Sequence, residues 1–147
     1  MPARPQPVSS SSTKIGGVRL YHMPVFHDTS GSLTFGEGSR HLPFAIKRYF
    51  AVYRVSAQYT RGEHAHRRLE QMLICVNGSC RVSADDGAHK EDFLLDDPAV
   101  GLYLPPMIWA TQHTYSEQAV LLVLASDIYD PTDYINEYAE FQTLLKK

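Results

Sequence analysis

Met72-Leu73-Ile74-Cys75-Val76-Asn77-Gly78-Ser79-Cys80-Arg81-Val82-Ser83 sets two short apolar runs on either side of a turn dipeptide, and its reading decides the fold class. Asn-Gly suits the left-handed backbone of a two-residue turn, so the segment predicts an antiparallel hairpin. The same pattern continues outward in both directions. Upstream lie Val18-Arg19-Leu20-Tyr21, Gly31-Ser32-Leu33-Thr34-Phe35 and a longer strand candidate from Ile46 to Val55. Downstream, Asp85-Asp86-Gly87 marks a second turn, from which Glu91 to Leu95 returns. Gly101-Leu102-Tyr103-Leu104 stops at Pro105-Pro106, and Trp109 to Tyr115 leads into the apolar run Ala119 to Ala125. Short strands separated by frequent turn signals predict an all-β antiparallel sandwich or barrel.

The period changes near the end. Asp130-Pro131 reads as an N-cap followed by proline at the first helical position. Tyr134, Ile135, Tyr138, Phe141 and Leu145 then recur every three to four residues, which predicts an amphipathic C-terminal α-helix packed on the sheet. Residues 1–17, rich in Pro, Ser and Gly, lack the apolar content to fold alone and are expected to be disordered, leaving one domain over 18–147.

The 147 residues are 44% apolar and 20% charged, and the net charge is −2. That balance offers no basic field for nucleic acid and no charged run for a membrane surface, although a few local arginines suffice for one anionic ligand. The longest apolar run is far short of the roughly 20 residues of a membrane span, and the N-terminus lacks a signal-peptide core. The two cysteines, Cys75 and Cys80, fit reduced thiols in a cytoplasmic protein better than a disulfide scaffold.

Within Arg61-Gly62-Glu63-His64-Ala65-His66-Arg67, two imidazoles stand at i and i+2. On an extended strand they point to one face, so a single pocket receives two groups that titrate near neutral pH. Such a pair can hold a metal or move protons. The spacing resembles the first motif of the cupin superfamily, small jelly-roll β-barrels, with Gln71 at the position of that motif's carboxylate and Gly78 at its glycine. Metal-binding cupins add a histidine after a proline-containing turn, here Pro105-Pro106-Met107, but the matching positions hold Trp109 and Ala110. A first-row metal wants three or four ligands, and this set falls short, so no metal is expected. His64 and His66 then suit general acid-base chemistry.

The chain further resembles the cupin-type nucleotide-sugar 3,4-ketoisomerases, which act on dTDP-4-keto-6-deoxyglucose. The likeness runs through Leu42-Pro43-Phe44, Lys47-Arg48-Tyr49-Phe50, the His64-Ala65-His66 segment, Asn77-Gly78-Ser79-Cys80 and Asp85-Asp86-Gly87. It continues in Gly101 to Pro106 with Trp109, Val120 to Ser126, and Asp133-Tyr134-Ile135 with Tyr138 and Phe141. The resemblance implies a homodimer with strand exchange and no metal or redox cofactor. It also implies a dTDP-linked 4-keto-6-deoxy sugar as substrate.

By the same resemblance His66 is the base at C3 and His64 its partner at the sugar oxygens, an order that the ring's unknown placement leaves reversible. Tyr53 is the candidate for polarising a sugar oxygen, Arg48 or Arg61 for gripping the pyrophosphate, Trp109 for walling the nucleotide or sugar, and Gln71 for bonding a histidine or hydroxyl. Arg48 and Tyr53, five apart, fall on opposite faces of a regular strand and share the pocket only if a bulge intervenes. One departure stands out: the family's Asp-x-Arg-Gly reads Asp28-Thr29-Ser30-Gly31, so Thr29 and Ser30 replace a charged contact and bear on which face of the enediol is protonated. Other readings remain open: a metal cupin using His64, His66, Glu70 and His113, a binding protein without turnover, and a 3,5-epimerase.

Overall fold

The computed structural model describes residues 8–147. In chain order the strands are β1 (Ser9–Ser12), β2 (Arg19–His22), β3 (Val25–Asp28), β4 (Gly31–Thr34), β5 (Arg48–Tyr53), β6 (Arg61–His66) and β7 (Gln71–Asn77). There follow β8 (Cys80–Asp85), β9 (Lys90–Leu95), β10 (Val100–Leu104), β11 (Trp109–His113), β12 (Val120–Ala125), β13 (Tyr134–Ile135) and one helix, α1 (Tyr138–Leu145). They form a six-stranded sheet ordered β1-β2-β10-β7-β12-β5 and a five-stranded sheet ordered β13-β6-β11-β8-β9, with β3-β4 as a separate hairpin. The two large sheets face each other as an antiparallel jelly roll of cupin type. Among the described residues no helix is long and apolar enough to cross a membrane.

Strand alternation explains the layers. In β8, Cys80, Val82 and Ala84 are buried while the residues between them are less so; in β12, Leu121, Val123 and Ala125 behave alike. These side chains meet Leu73, Cys75 and Leu102 in the main core between the sheets. The central strand β7 is buried on both faces: Leu73 and Cys75 point inward, whereas Met72 and Ile74 pack outward beneath Met23, Leu42 and Phe44. Both cysteines are free and buried.

Three expectations change. Asn77-Gly78 does not close a hairpin, because β7 pairs with β10 and β12 while β8 pairs with β9 and β11. A strand with apolar side chains on both faces is best placed centrally in its sheet, so the turn carries the chain across to the opposite sheet. The Asp85-Asp86-Gly87 turn is the true hairpin, pairing Asp85 with Lys90 and Cys80 with Leu95. The expected helix start also moves. Asp130 caps only a 3₁₀ turn over Pro131–Asp133, then Tyr134 and Ile135 pair with His66 and Ala65, and α1 begins at Tyr138.

The segment read as disordered, 1–17, is partly ordered: residues 1–7 lie outside the described residues, but Ser9–Ser12 pair with β2. The backbone ladder substitutes there for the apolar content those serines lack. Ile15 is 1% exposed, and Thr13 Oγ1 donates to the Ile15 and Val18 carbonyls.

The crossing turn is tightly built. Gly78 has φ +68°, and a Cβ there would collide with Ser116 Oγ and stand 3.0 Å from the Ala119 backbone. Ser116 Oγ accepts from Ser79 N at 2.9 Å, and Ser116 N donates to Ser79 O at 2.8 Å, so the neighbour has little freedom to yield. Gly78→Ala should therefore lower stability by at least about 2 kcal/mol, from left-handed strain and overpacking together. Urea unfolding measures this; a loss below about 0.5 kcal/mol, the range of neutral surface changes, would remove the turn from the fold's determinants.

Candidate active site

β6 carries the site. Its side chains alternate so that His64 and His66 face the interior while Ala65, 0% exposed, faces outward among Ile135, Phe141, Met107 and Trp109. The two imidazoles lie 4.9 Å apart at ring centroids and nearly perpendicular, at 87°. A bulge precedes them. The β6–β11 register shifts between Ala110 and Thr111, Gly62 takes φ +82°, and a Cβ on Gly62 would stand 2.9 Å from the Ala110 carbonyl oxygen. Glu63 adopts φ +59° despite its side chain, and Thr60 Oγ1 donates to its carboxylate at 2.9 Å. Bulges re-aim side chains at functional sites, and this one turns the Gly62 carbonyl toward His64.

That carbonyl fixes the His64 tautomer. Nδ1 lies 2.9 Å from Gly62 O, which can only accept, so Nδ1 carries the hydrogen and Nε2 the lone pair. Burial lowers the His64 pKa, and the bond to Gly62 opposes the shift only partly. His66 is more enclosed, at 5% exposed. Its Nδ1 lies 3.2 Å from Asp133 Oδ2, and its Nε2 is buried with no hydrogen-bond partner among the described residues. Burial and the neighbouring His64 push the His66 pKa down to about 4, while Asp133 pulls the other way and Arg48 adds to the lowering.

Asp133 comes from the turn after β12. Its Oδ1 accepts from Arg68 N at 2.8 Å and its Oδ2 from Leu69 N at 3.2 Å. Backbone bonds clamp the same region: Arg67 N donates to Asp133 O at 2.9 Å and Met107 N to His66 O at 2.8 Å. Tyr134 follows in sequence and lays its ring against both imidazoles, 4.9 Å from His64 and 4.4 Å from His66. Beside them opens a cavity of about 160 Å3, lined by Arg48, His66, Arg68, Ser126 and Tyr134 among others. Arg48 Nε donates to Asp127 O at 3.3 Å, and its guanidinium lies over the Phe50 and Tyr129 rings.

The expected residues divide accordingly. His64, His66 and Arg48 converge. Gln71 has the inward parity of Leu73 and Cys75 on β7, opposite Ala125. Arg61 is exposed at the start of β6. Tyr53 does not enter the pocket: Phe50 and Val52 pack on the core, so β5 turns Tyr53 outward, where it is 58% exposed. Trp109 is likewise excluded. Ala110 takes the inward position on β11, and Trp109 packs under α1, 5.2 Å from Tyr138 and 5.8 Å from Phe141. Thr29 and Ser30 form the exposed turn of the β3-β4 hairpin, and neither lines the cavity beside His66.

The metal-cupin set is not assembled. Glu70 accepts from Tyr103 Oη at 2.6 Å, and His113 Nε2 sits 2.8 Å from Asp92 Oδ1. Among the described residues no three His, Cys, Asp or Glu side chains gather as metal ligands. Sequence reasoning missed Asp133 and Tyr134 as site residues because both were assigned to the expected helix. The available signal was Asp133 itself, an acidic residue beside an aromatic-aliphatic pair whose alternation suits a short strand.

Known proteins share this sequence pattern and fold. Residues 16–146 match the family described as FdtA: WxcM-like, C-terminal. A TDP-4-oxo-6-deoxy-α-D-glucose-3,4-oxoisomerase from Aneurinibacillus thermoaerophilus is 47% identical over 120 residues, covering 82% of this chain and 86% of its own. A His-to-Asn variant of the 3,4-ketoisomerase QdtA from Thermoanaerobacterium thermosaccharolyticum, solved with TDP-4-keto-6-deoxyglucose, superposes with a TM-score of 0.88 at 39% identity. The match covers 90% of this chain and 96% of that one. A 3,4-ketoisomerase from Helicobacter canadensis gives a TM-score of 0.86 at 35% identity, covering 89% and 98% respectively. Matched by the family model over residues 16–146 and by a relative 47% identical over 120 residues, the chain belongs to the WxcM-like, C-terminal (FdtA) family.

Proposed function

We propose that the protein is an isomerase that moves the keto group of a TDP-linked 4-keto-6-deoxyglucose from C4 to C3. The carrying observation is the inward pair His64 and His66, each ring anchored through Nδ1 so that Nε2 keeps a lone pair for the substrate. Support comes also from relatives named for this reaction, one of them solved with the keto sugar.

The chemistry needs only proton carriers. The C3 hydrogen is acidified by the neighbouring C4 ketone, because the electron pair left behind spreads onto O4. His66 Nε2 takes that proton, leaving a C3–C4 enediolate with its charge on O4. His64 Nε2 accepts the O3 proton and passes it to O4, and the His66 imidazolium, its proton exchangeable with solvent, protonates C4, so the ketone stands at C3. In net terms C3 has lost a proton and C4 has gained one, one proton has moved from O3 to O4, and nothing is oxidised or reduced. Each positioned acid-base group contributes about 10²–10⁴-fold.

The cavity of about 160 Å3 is below the roughly 300–1,000 Å3 of a typical ligand site. It takes the reacting sugar and leaves the nucleotide toward the rim. Arg48 there offers a planar guanidinium to the diphosphate, and Gln71 an amide to a sugar hydroxyl.

The working form is a cytoplasmic homodimer with exchanged strands. Among the described residues the β3-β4 hairpin pairs with neither large sheet, and isolated two-stranded hairpins are marginal in water. Its Leu33 is 57% exposed, and the outward face of β5 adds Tyr49 at 72% and Tyr53 at 58%. A second copy of the chain would cover this surface. The free thiols of Cys75 and Cys80 fit a reducing compartment.

Incubation with TDP-4-keto-6-deoxyglucose in deuterated water should yield a 3-keto sugar carrying deuterium at C4, read by NMR. Deuterium at C3 and C5 with the ketone unmoved, or no exchange, would refute the assignment. His66→Asn should lose at least about 10²-fold in turnover and still bind TDP.

The pH profile supplies a second check. Because the His66 pKa is pushed down to about 4, its base form survives as pH falls through 6.5. The kcat/KM profile, which reports the free enzyme, should stay level from neutral pH to about pH 5 and fall only below that. An acid limb at pH 6.5 or higher would exclude His66 as the buried base. Light scattering should give the mass of two chains, and Leu33→Asp should shift it toward one; a wild-type monomer would rule out the dimer.

A further inference from the structure

We propose that Asp133 is the positioning residue of the reaction: it holds the hydrogen of His66 on Nδ1 and thereby keeps Nε2 free to act as the base. This rests on His66 being the base at C3, as argued above.

The geometry carries the inference. A carboxylate is an acceptor at every lone pair, so an imidazole nitrogen facing it must present a hydrogen. Asp133 cannot swing away from that task, because two peptide N–H groups hold it. Arg68 N donates to Oδ1 at 2.8 Å, and Leu69 N donates to Oδ2 at 3.2 Å, the same oxygen that faces His66 Nδ1 at 3.2 Å. The residue is itself 6% exposed. Its backbone is locked as well, since Asp133 N donates to Asp130 O and Asp133 O accepts from Arg67 N. The remaining ring nitrogen, Nε2, is the buried one without a partner among the described residues.

Position and charge act together. When Nε2 accepts the C3 proton, the ring becomes a buried cation. The groups around it are Arg48 from β5 and His64 from β6, which disfavour that cation, and Tyr134 from β13, which packs against the ring. The carboxylate of Asp133 is the adjacent group that favours it. The residue thus acts twice through His66, fixing the reactive tautomer before proton transfer and steadying the imidazolium after it.

Asp133→Asn separates this role from a structural one. If the Asn carbonyl keeps the bond from Arg68 N, its NH2 faces both Leu69 N–H and His66. Nδ1 must then accept, and the ring hydrogen moves to Nε2. Ring-nitrogen NMR on 15N-histidine-labelled enzyme near pH 7 should show wild-type His66 protonated at Nδ1 and Asp133→Asn protonated at Nε2. Turnover of TDP-4-keto-6-deoxyglucose should fall about 10²–10⁴-fold in kcat, with KM and TDP affinity within about threefold. Glu140→Gln is the control. It breaks the 2.7 Å ion pair that ties α1 to Arg67, the residue after β6, and leaves Asp133 untouched, so kcat should hold.

A wild-type His66 carrying its hydrogen on Nε2 would overturn the proposal, and so would an Asp133→Asn enzyme within about threefold of wild-type kcat. Because the wild-type spectrum decides by itself, a variant that fails to fold leaves the test intact. Wild-type enzyme that leaves the sugar unchanged would refute the proposed function, while the tautomer reading would still decide the role of Asp133.

Discussion

Ala65 lies between the two histidines in sequence and on the opposite face of the same strand, with 0% exposure. Strand alternation makes those two facts one. Whatever seals Ala65 from outside fixes the direction of His64 and His66 inside. The seal is Ile135 and Phe141, also 0% exposed, delivered by the segment after β12. The same segment pairs Tyr134 with His66 and Ile135 with Ala65, so the C-terminal end is at once the lid over the apolar face and the edge strand beside the site. A one-residue slip of that pairing would reverse every side chain on β13 and withdraw Tyr134 from the imidazoles.

Burying two imidazoles together has an electrostatic consequence that suits the chemistry. Each ring's charged form is disfavoured by desolvation, and each disfavours the charging of the other. Both therefore rest neutral at physiological pH, which a base needs, and neither rests as an acid. The site still needs a group that makes a transient imidazolium tolerable without making it permanent. A single carboxylate held by two peptide N–H groups fits that requirement, because part of its charge is already engaged by Arg68 N and Leu69 N. A freer carboxylate would draw the resting proton onto the ring and block the base.

The sequence was legible where one-dimensional period equals three-dimensional direction. His64 and His66 could be placed on one face of one strand from spacing alone, and Arg48 and Tyr53 could be set on opposite faces by the same parity. Neighbourhood failed where a local signal had two outcomes. Asn77-Gly78 supplies a tight left-handed turn, but whether such a turn closes a hairpin or crosses between sheets depends on partners tens of residues away. Asp130-Pro131 caps a helical turn in either reading, and only the pairing of Tyr134 with His66 shows that the turn stops after Asp133. Trp109 illustrates a third kind of error: an aromatic beside a double proline looks like a rim residue, yet its parity on β11 turns it toward α1.

Asp133 escaped for a related reason. It meets His66 across 67 positions of sequence, and no spacing rule links a strand residue to a turn that follows the last long strand. The link exists because the chain must cross from the six-stranded sheet back to the five-stranded one after Ala125. The crossing ends where β6 has a free edge, beside the histidines, since β13 is the only strand on that side of β6 among the described residues. A carboxylate placed just before that edge pairing is carried to the ring by the topology. Moving it by one residue in either direction would point it away, so the fold's closing step and the tautomer of the base are set by the same register.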